Sequence, residues 1–214
     1  MGVPVPAPAC GRGDRFNYAS HSHSMRIIAG HGKGRRLKSP AGAQTRPTGG
    51  RVKQTLFDIL APRLPGARFL DLFAGSGAVG LEALSRGASE VVFVDEGRAA
   101  VAALLQNLQA LRARPPRARA LQRSVTAALA ELEAAGAEFD IVFLDPPYES
   151  PLYEPVLERL AESPLLAAGA TVVAEHFHKR PLPERIGSLV RGREKRIGDH
   201  RLTFYRQPEP RRSD

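Results

Sequence analysis

The chain has 214 residues, enough for one α/β domain with a substantial core and a modest appendage but short of two full domains. Its 43% hydrophobic and 25% charged content is ordinary for a soluble globular protein, and no apolar run approaches the ~20 residues of a membrane helix. The single cysteine, Cys10, rules out a disulfide within the chain and argues against a structural zinc site, so a reducing cytoplasm is the expected compartment. A monomer is the expected state.

A formal charge of +9 calls for a polyanionic partner. Its distribution sharpens the expectation: Arg26, Lys33, Arg35, Arg36, Lys38, Arg46, Arg51 and Lys53 lie between Met25 and Phe57, a stretch without any Asp or Glu. One-signed clustering of this kind is a nucleic-acid footprint.

Residues 1–24, with Pro4, Pro6, Pro8 and a Ser/His run, have no periodicity to bury and are expected to form a disordered leader. From Met25 two short strands are predicted, Arg26–Ala29 and Arg35–Lys38, around a turn at Gly30, Gly32 and Gly34, giving a basic β-hairpin. Val52, Leu56, Ile59 and Leu60 then recur at helical spacing, predicting an amphipathic helix that ends at Pro62. This basic extension covers 25–62.

Beyond Gly66 strands and helices alternate. Strands are predicted at Arg68–Phe73, Glu90–Asp95, Ala118–Gln122, Phe139–Leu144 and Ala170–Glu175, with helices at Ala78–Arg86, Arg98–Arg112, Val125–Ala134 and Leu152–Glu162 between them. Buried apolar strands in that order predict an α/β fold with a Rossmann-like, doubly wound sheet. A closing hairpin, Arg191–Ile197 with Arg201–Arg206, brings the expected total to seven strands in a domain spanning 63–207, followed by a flexible tail at 208–214.

Asp71-Leu-Phe73-Ala-Gly75-Ser76-Gly77-Ala-Val-Gly80 follows a strand and opens a helix, where glycines let the backbone approach a ligand. Asp95 ends the next strand about 20 residues on, placed to accept both ribose hydroxyls of an adenosine. That pair alone fits NAD as well as S-adenosylmethionine. Asp71 just before the turn suits a cationic amino or sulfonium group and would repel a diphosphate, and no basic residue lies between Phe69 and Ser85. The sulfonium cofactor is favoured.

Asp145-Pro146-Pro147-Tyr148 ends the fourth strand, beside the crevice where such sheets bind ligands. An exocyclic amino group is a poor nucleophile because its lone pair is delocalised into the ring. The Asp145 carboxylate and Pro146 carbonyl can accept its two N–H bonds and aim the lone pair, while Tyr148 offers a ring for stacking. An oxidoreductase on the same glycine fingerprint leaves this tetrapeptide unexplained, and a non-catalytic RNA-binding assembly factor would have no need of either motif. DNA amino methylation uses the same tetrapeptide, but no insertion large enough to read a DNA sequence is visible. No metal is required, and His176 and His178, alternating at a strand end, are expected to be surface residues.

Over nearly all of residues 25–206 the sequence resembles the 16S ribosomal RNA guanine-N2 methyltransferase family, the RsmD family. The resemblance rests on Met25-Arg-Ile-Ile-Ala-Gly30, Arg46-Pro-Thr48, Arg51-Val-Lys-Gln-Thr-Leu-Phe57, the run Asp71 to Ala88, Asn107-Leu108 and Asp145-Pro-Pro-Tyr148. It implies methylation of a guanine in a small-subunit RNA hairpin, within an assembly particle that already carries proteins. Taken with the basic stretch, the expected RNA-binding set is Arg35, Arg36, Lys38, Arg46, Thr48 and Arg51, and the resemblance allows Arg51 to approach the cofactor edge as well. The chain departs from the family in having the shorter Asp95 where Glu is common, Gly97 in place of an acid, and Ser124 where a carboxylate often meets the adenine amino group.

Overall fold

The structure is a computed structural model and describes residues 25–40, 49–147 and 150–208. An eight-stranded sheet in the order β3-β2-β1-β4-β5-β8-β7-β6 forms its centre. The first five strands are β1 (Arg68–Leu72), β2 (Glu90–Asp95), β3 (Ala118–Gln122), β4 (Phe139–Leu144) and β5 (Leu166–Phe177). These five run parallel to one another, as strand–helix alternation requires. β6 (Arg185–Ile186), β7 (Leu189–Ile197) and β8 (His200–Arg206) close the edge, with β8 antiparallel to both β5 and β7.

The count of eight corrects the expected seven. The additional strand, β6, is only two residues long and pairs with the start of β7, too short for any alternation to announce it in the sequence. β5 also begins four residues earlier than expected, and its register against β4 shifts between Phe139 and Ile141, which hides the pattern at its start.

Helices cover both faces. α1 (Gly50–Leu60), α2 (Ala78–Ser85) and α3 (Arg98–Leu111) lie on one side, where Leu56, Phe57, Leu81 and Leu104 pack with Phe69, Phe93 and Phe143. On the other, α4 (Val125–Ala134) and α5 (Tyr153–Glu162) bring Leu129, Leu132, Leu157 and Leu160 onto Leu70, Val92, Val142 and Val172. Alternate residues of β1 therefore enter opposite cores. α1 is followed by a single 3-10 turn, Ala61–Arg63, which accommodates Pro62.

The amino-terminal segment pairs antiparallel as expected but forms only one isolated bridge, Arg26 to Arg36, so the two predicted strands are not realised. The reason lies in its hydrogen bonds: the amides of Ile28 and Ala29 donate to the Glu82 carboxylate on α2, at 2.7 and 2.9 Å. Ile27 and Leu37 are buried in the same core as β1 and α1, so this basic arm is part of the main domain's packing. Among the described residues no helix is long and apolar enough to cross a membrane.

Candidate active site

The register of the two central strands assembles the site. Leu72 of β1 lies opposite Leu144 of β4, so the residues that follow, Phe73 of the glycine loop and Asp145 of the Asp-Pro-Pro turn, leave the sheet side by side. β1 and β4 are also where the strand order reverses, and a crevice outside the strand ends is the usual consequence.

The glycine loop is wound tightly. Phe73, Gly75 and Gly77 all have positive φ, of 61°, 56° and 84°. Gly75 has nothing within 4 Å of where a Cβ would stand, leaving its backbone face open for a ligand; at Gly77 a Cβ would lie 2.4 Å from Leu104 Cδ1. Ser76 is buried, and its carbonyl accepts from Asn107 Nδ2 at 2.9 Å. The same Asn107 amide bonds the basic arm, donating to Lys38 O at 3.0 Å and accepting from Lys38 N at 2.8 Å. Asn107 thereby ties arm to loop.

Two carboxylates flank the loop. Asp71 is 1% exposed and accepts from Gly80 N at 2.8 Å. Burial raises its pKa to about 7; the Gly80 amide opposes the shift and nearby Asp95 adds to it. Among the described residues no cation pairs with this carboxylate, and the amino or sulfonium charge of S-adenosylmethionine is a group it fits. Asp95 accepts from Gly75 N at 2.7 Å and from Gly97 N at 2.8 Å, one bond to each oxygen. Because a carboxylate offers about four lone-pair sites, ribose hydroxyls can still be taken up. Gly97, which stands where the family often has an acid, thus contributes a backbone amide that orients Asp95.

Ser124 lies beyond the end of β3 as the N-cap of α4, its hydroxyl accepting from Ala127 N at 3.4 Å. At the turn itself Asp145 is half-buried and Pro146 buried. Sequence reasoning missed Tyr153, the first residue of α5, whose buried hydroxyl lies 3.5 Å from the Pro146 carbonyl and donates to Glu175 O at 3.0 Å. It props the turn from beneath. Glu175, next after the residue paired with Leu144, is buried and meets His200 Nδ1 at 2.8 Å, while its other oxygen has no hydrogen-bond partner among the described residues.

His176 corrects an expectation. It is 2% exposed, because β8 pairs across it and brings Thr203 Oγ1 to 2.8 Å from its Nε2, and burial holds its pKa below the usual histidine value. Of the expected RNA-facing residues, Arg35, Arg36, Lys38 and Arg51 are exposed. Arg35 Nη1 donates to Ala110 O at 2.6 Å and Lys38 Nζ to Gln106 Oε1 at 2.9 Å, which aligns the arm along α3. Arg46, Thr48 and Tyr148 lie outside the described residues.

Sheet order, glycine loop and Asp-Pro-Pro turn together define a Rossmann-like methyltransferase. The chain belongs to the family described as conserved hypothetical protein 95, whose model matches residues 25–206. It is 37% identical over 195 residues to ribosomal RNA small subunit methyltransferase D of Escherichia coli (strain K12), covering 91% of this chain and 96% of that one. The protein of the same name from Haemophilus influenzae is 39% identical over 158 residues, 74% of this chain and 81% of its own. Among solved structures, a hypothetical protein from Thermus thermophilus superimposes with a TM-score of 0.73 at 38% identity, covering 84% of this chain and 97% of that chain.

Proposed function

We propose that this methyltransferase uses S-adenosylmethionine to methylate the exocyclic N2 of a guanine in 16S ribosomal RNA, acting in the cytoplasm on a small-subunit assembly particle. The observation that carries the reading is the Leu72–Leu144 register, which sets the cofactor-type loop and the amino-group-type turn shoulder to shoulder.

Bound cofactor supplies an electrophilic methyl carbon on a sulfonium. Asp71 faces its positive end, the open backbone at Gly75 takes its aliphatic part, and Asp95 holds the ribose. Phe73 and Ser76 complete that wall, and Ser124 stands at the adenine end. Asp145 and the Pro146 carbonyl accept the two N–H bonds of the guanine amino group, so that its lone pair points across the crevice at a near-attack distance of ~3 Å. Tyr153 fixes the Pro146 carbonyl, Tyr148 stacks on the base, and the proton leaves through Asp145 or water. The basic arm, with Arg35, Arg36, Lys38, Arg46, Thr48 and Arg51, faces the RNA backbone.

Labelled S-adenosylmethionine should be incubated with undermethylated small subunits, free 16S RNA and DNA, followed by nucleoside analysis. Label in N2-methylguanine from the ribosomal substrates supports the reading; label in another nucleoside, or only from DNA, overturns it.

Two measurements test the cofactor assignments. Asp95→Ala is expected to weaken cofactor binding by ~1–3 kcal/mol, because it removes charge-assisted bonds to the ribose and frees the Gly75 amide. Unchanged affinity in a titration calorimeter would refute the ribose role. Asp71 gives a pH signature: its folded pKa of about 7 exceeds its ordinary 3.8, so the apo protein holds a proton that the unfolded chain has released. Its contribution to stability is full below the ordinary value and lost as pH rises towards about 7. A cationic ligand favours the ionised form, so cofactor affinity should climb between about pH 6 and 8, by at most about tenfold per unit, with proton release on binding. Asp71→Asn should flatten both profiles.

A further inference from the structure

Resting on the RNA reading, we propose a second RNA-phosphate site at the far end of α2, a cleft between the tip of the basic arm and the loop joining α3 to β3. The cleft has a volume of about 290 Å³ and is lined by His31 from the arm tip, Leu81, Leu84 and Ser85 from α2, and the loop residues Leu111 to Arg117. Its floor is apolar and its rim is basic.

The charge on that rim is uncompensated. From Arg98 to Ala130 there are six arginines and no Asp or Glu. Arg119 and Arg123 are neutralised by Glu131, at 3.3 and 2.6 Å. Arg112, Arg114 and Arg117 are exposed and make no side-chain hydrogen bond or ion pair within the described residues. Three guanidinium groups held on one short loop beside a concavity form a phosphate-binding arrangement, since arginine pairs with phosphate through two parallel N–H bonds.

The cleft is also continuous with the arm. His31 N donates to Ser85 O at 3.0 Å and Gly32 N to Ser85 Oγ at 2.9 Å, seating the tip at the end of α2. The open end of the arm sits at Ser76, through the Asn107 bridge. Between them α2, from Ala78 to Ser85, advances about 10 Å at 1.5 Å per residue. A strand of RNA following Lys38, Arg36 and Lys33 away from the crevice arrives at Arg112, Arg114 and Arg117 several nucleotides from the target base. The enzyme therefore grips RNA outside the segment that enters the active site.

The test is a triple variant, Arg112→Asn, Arg114→Gln and Arg117→Gln. Asparagine is chosen because residue 112 has a φ of 54°, which asparagine tolerates. Binding of full-length 16S RNA transcript is measured across a salt series, alongside a control removing three charges from the opposite edge, Arg185→Gln, Arg193→Gln and Lys195→Gln. Expected are an unchanged melting temperature and cofactor affinity, and a log–log salt slope shallower by about 0.7–0.9 for each phosphate no longer neutralised, against no change in the control. A short oligonucleotide confined to the target loop should not distinguish the triple variant from the parent.

A parent that binds RNA and a triple variant with the same slope would overturn the cleft alone. Equal losses in variant and control would overturn it too, as a general charge effect. A parent without RNA affinity would sink the RNA reading and the cleft with it.

Discussion

Asp145→Ala is expected to lower kcat by at least about 10²-fold while leaving the cofactor dissociation constant within about twofold of the parent. Asp145 follows β4 and stands beside Phe73, and in the proposed reading it serves the reacting centre, whereas Asp95 and Ser124, at the ends of β2 and β3, serve the adenosine. Removing the carboxylate takes away one acceptor for the amino group. The nitrogen is then held by Pro146 O alone, and its lone pair is no longer aimed. Single-turnover transfer and calorimetric cofactor binding, measured on the same preparation, separate the two effects. A parallel loss of cofactor affinity would place Asp145 in the cofactor site instead, and full activity would remove it from the mechanism.

The positions legible in the sequence are those whose residue types act locally. Gly75 and Gly77 reveal a loop because their positive φ values are costly for other residues, and Asp145-Pro-Pro reveals a strand end because proline cannot continue the ladder. Five parallel strands and their helices follow from apolar runs of the right length. What stayed hidden depends on partners far away in the chain. Tyr153 and His176 are both apolar-face residues of ordinary elements, and only the seating of β8 beside β5 and of the Asp-Pro-Pro turn above them explains their polar atoms. Asn107 bonds residues 69 and 31 positions away, a separation over which periodicity is silent.

Glu82 was legible in principle, since a lone acid within the otherwise small and apolar run from Ala78 to Ser85 must find partners if the helix is buried. All of them come from elsewhere or from the next turn. One oxygen takes Ile28 N and Lys53 Nζ, at 2.7 and 3.2 Å; the other takes Ala29 N and Arg86 Nε, at 2.9 and 2.8 Å. Lys53 is itself 4% exposed, also donating to Arg26 O at 2.6 Å, and burial holds its pKa below the ordinary lysine value despite the attraction of Glu82. The arm, α1 and α2 are thus joined at one fully buried carboxylate.

Glu82→Ala should accordingly destabilise the fold by about 3–5 kcal/mol, the cost of leaving the charges of Lys53 and Arg86 and two amides without their acceptor. For a domain of this size that corresponds to a fall in melting temperature of roughly 6–20 °C. The loss should exceed that of the double variant Lys53→Met, Glu82→Met, in which Lys53 leaves no stranded charge, Arg86 alone loses its carboxylate, and the methionine side chains restore packing volume. Because Ile28 and Ala29 lose their anchor in both variants, amide hydrogen exchange in residues 26–37 should accelerate in both, ahead of exchange in β1 and β4. Equal destabilisation by single and double variants would show that the carboxylate's value lies in the two arm amides; melting temperatures unchanged in either would show that Glu82 does not hold the arm at all.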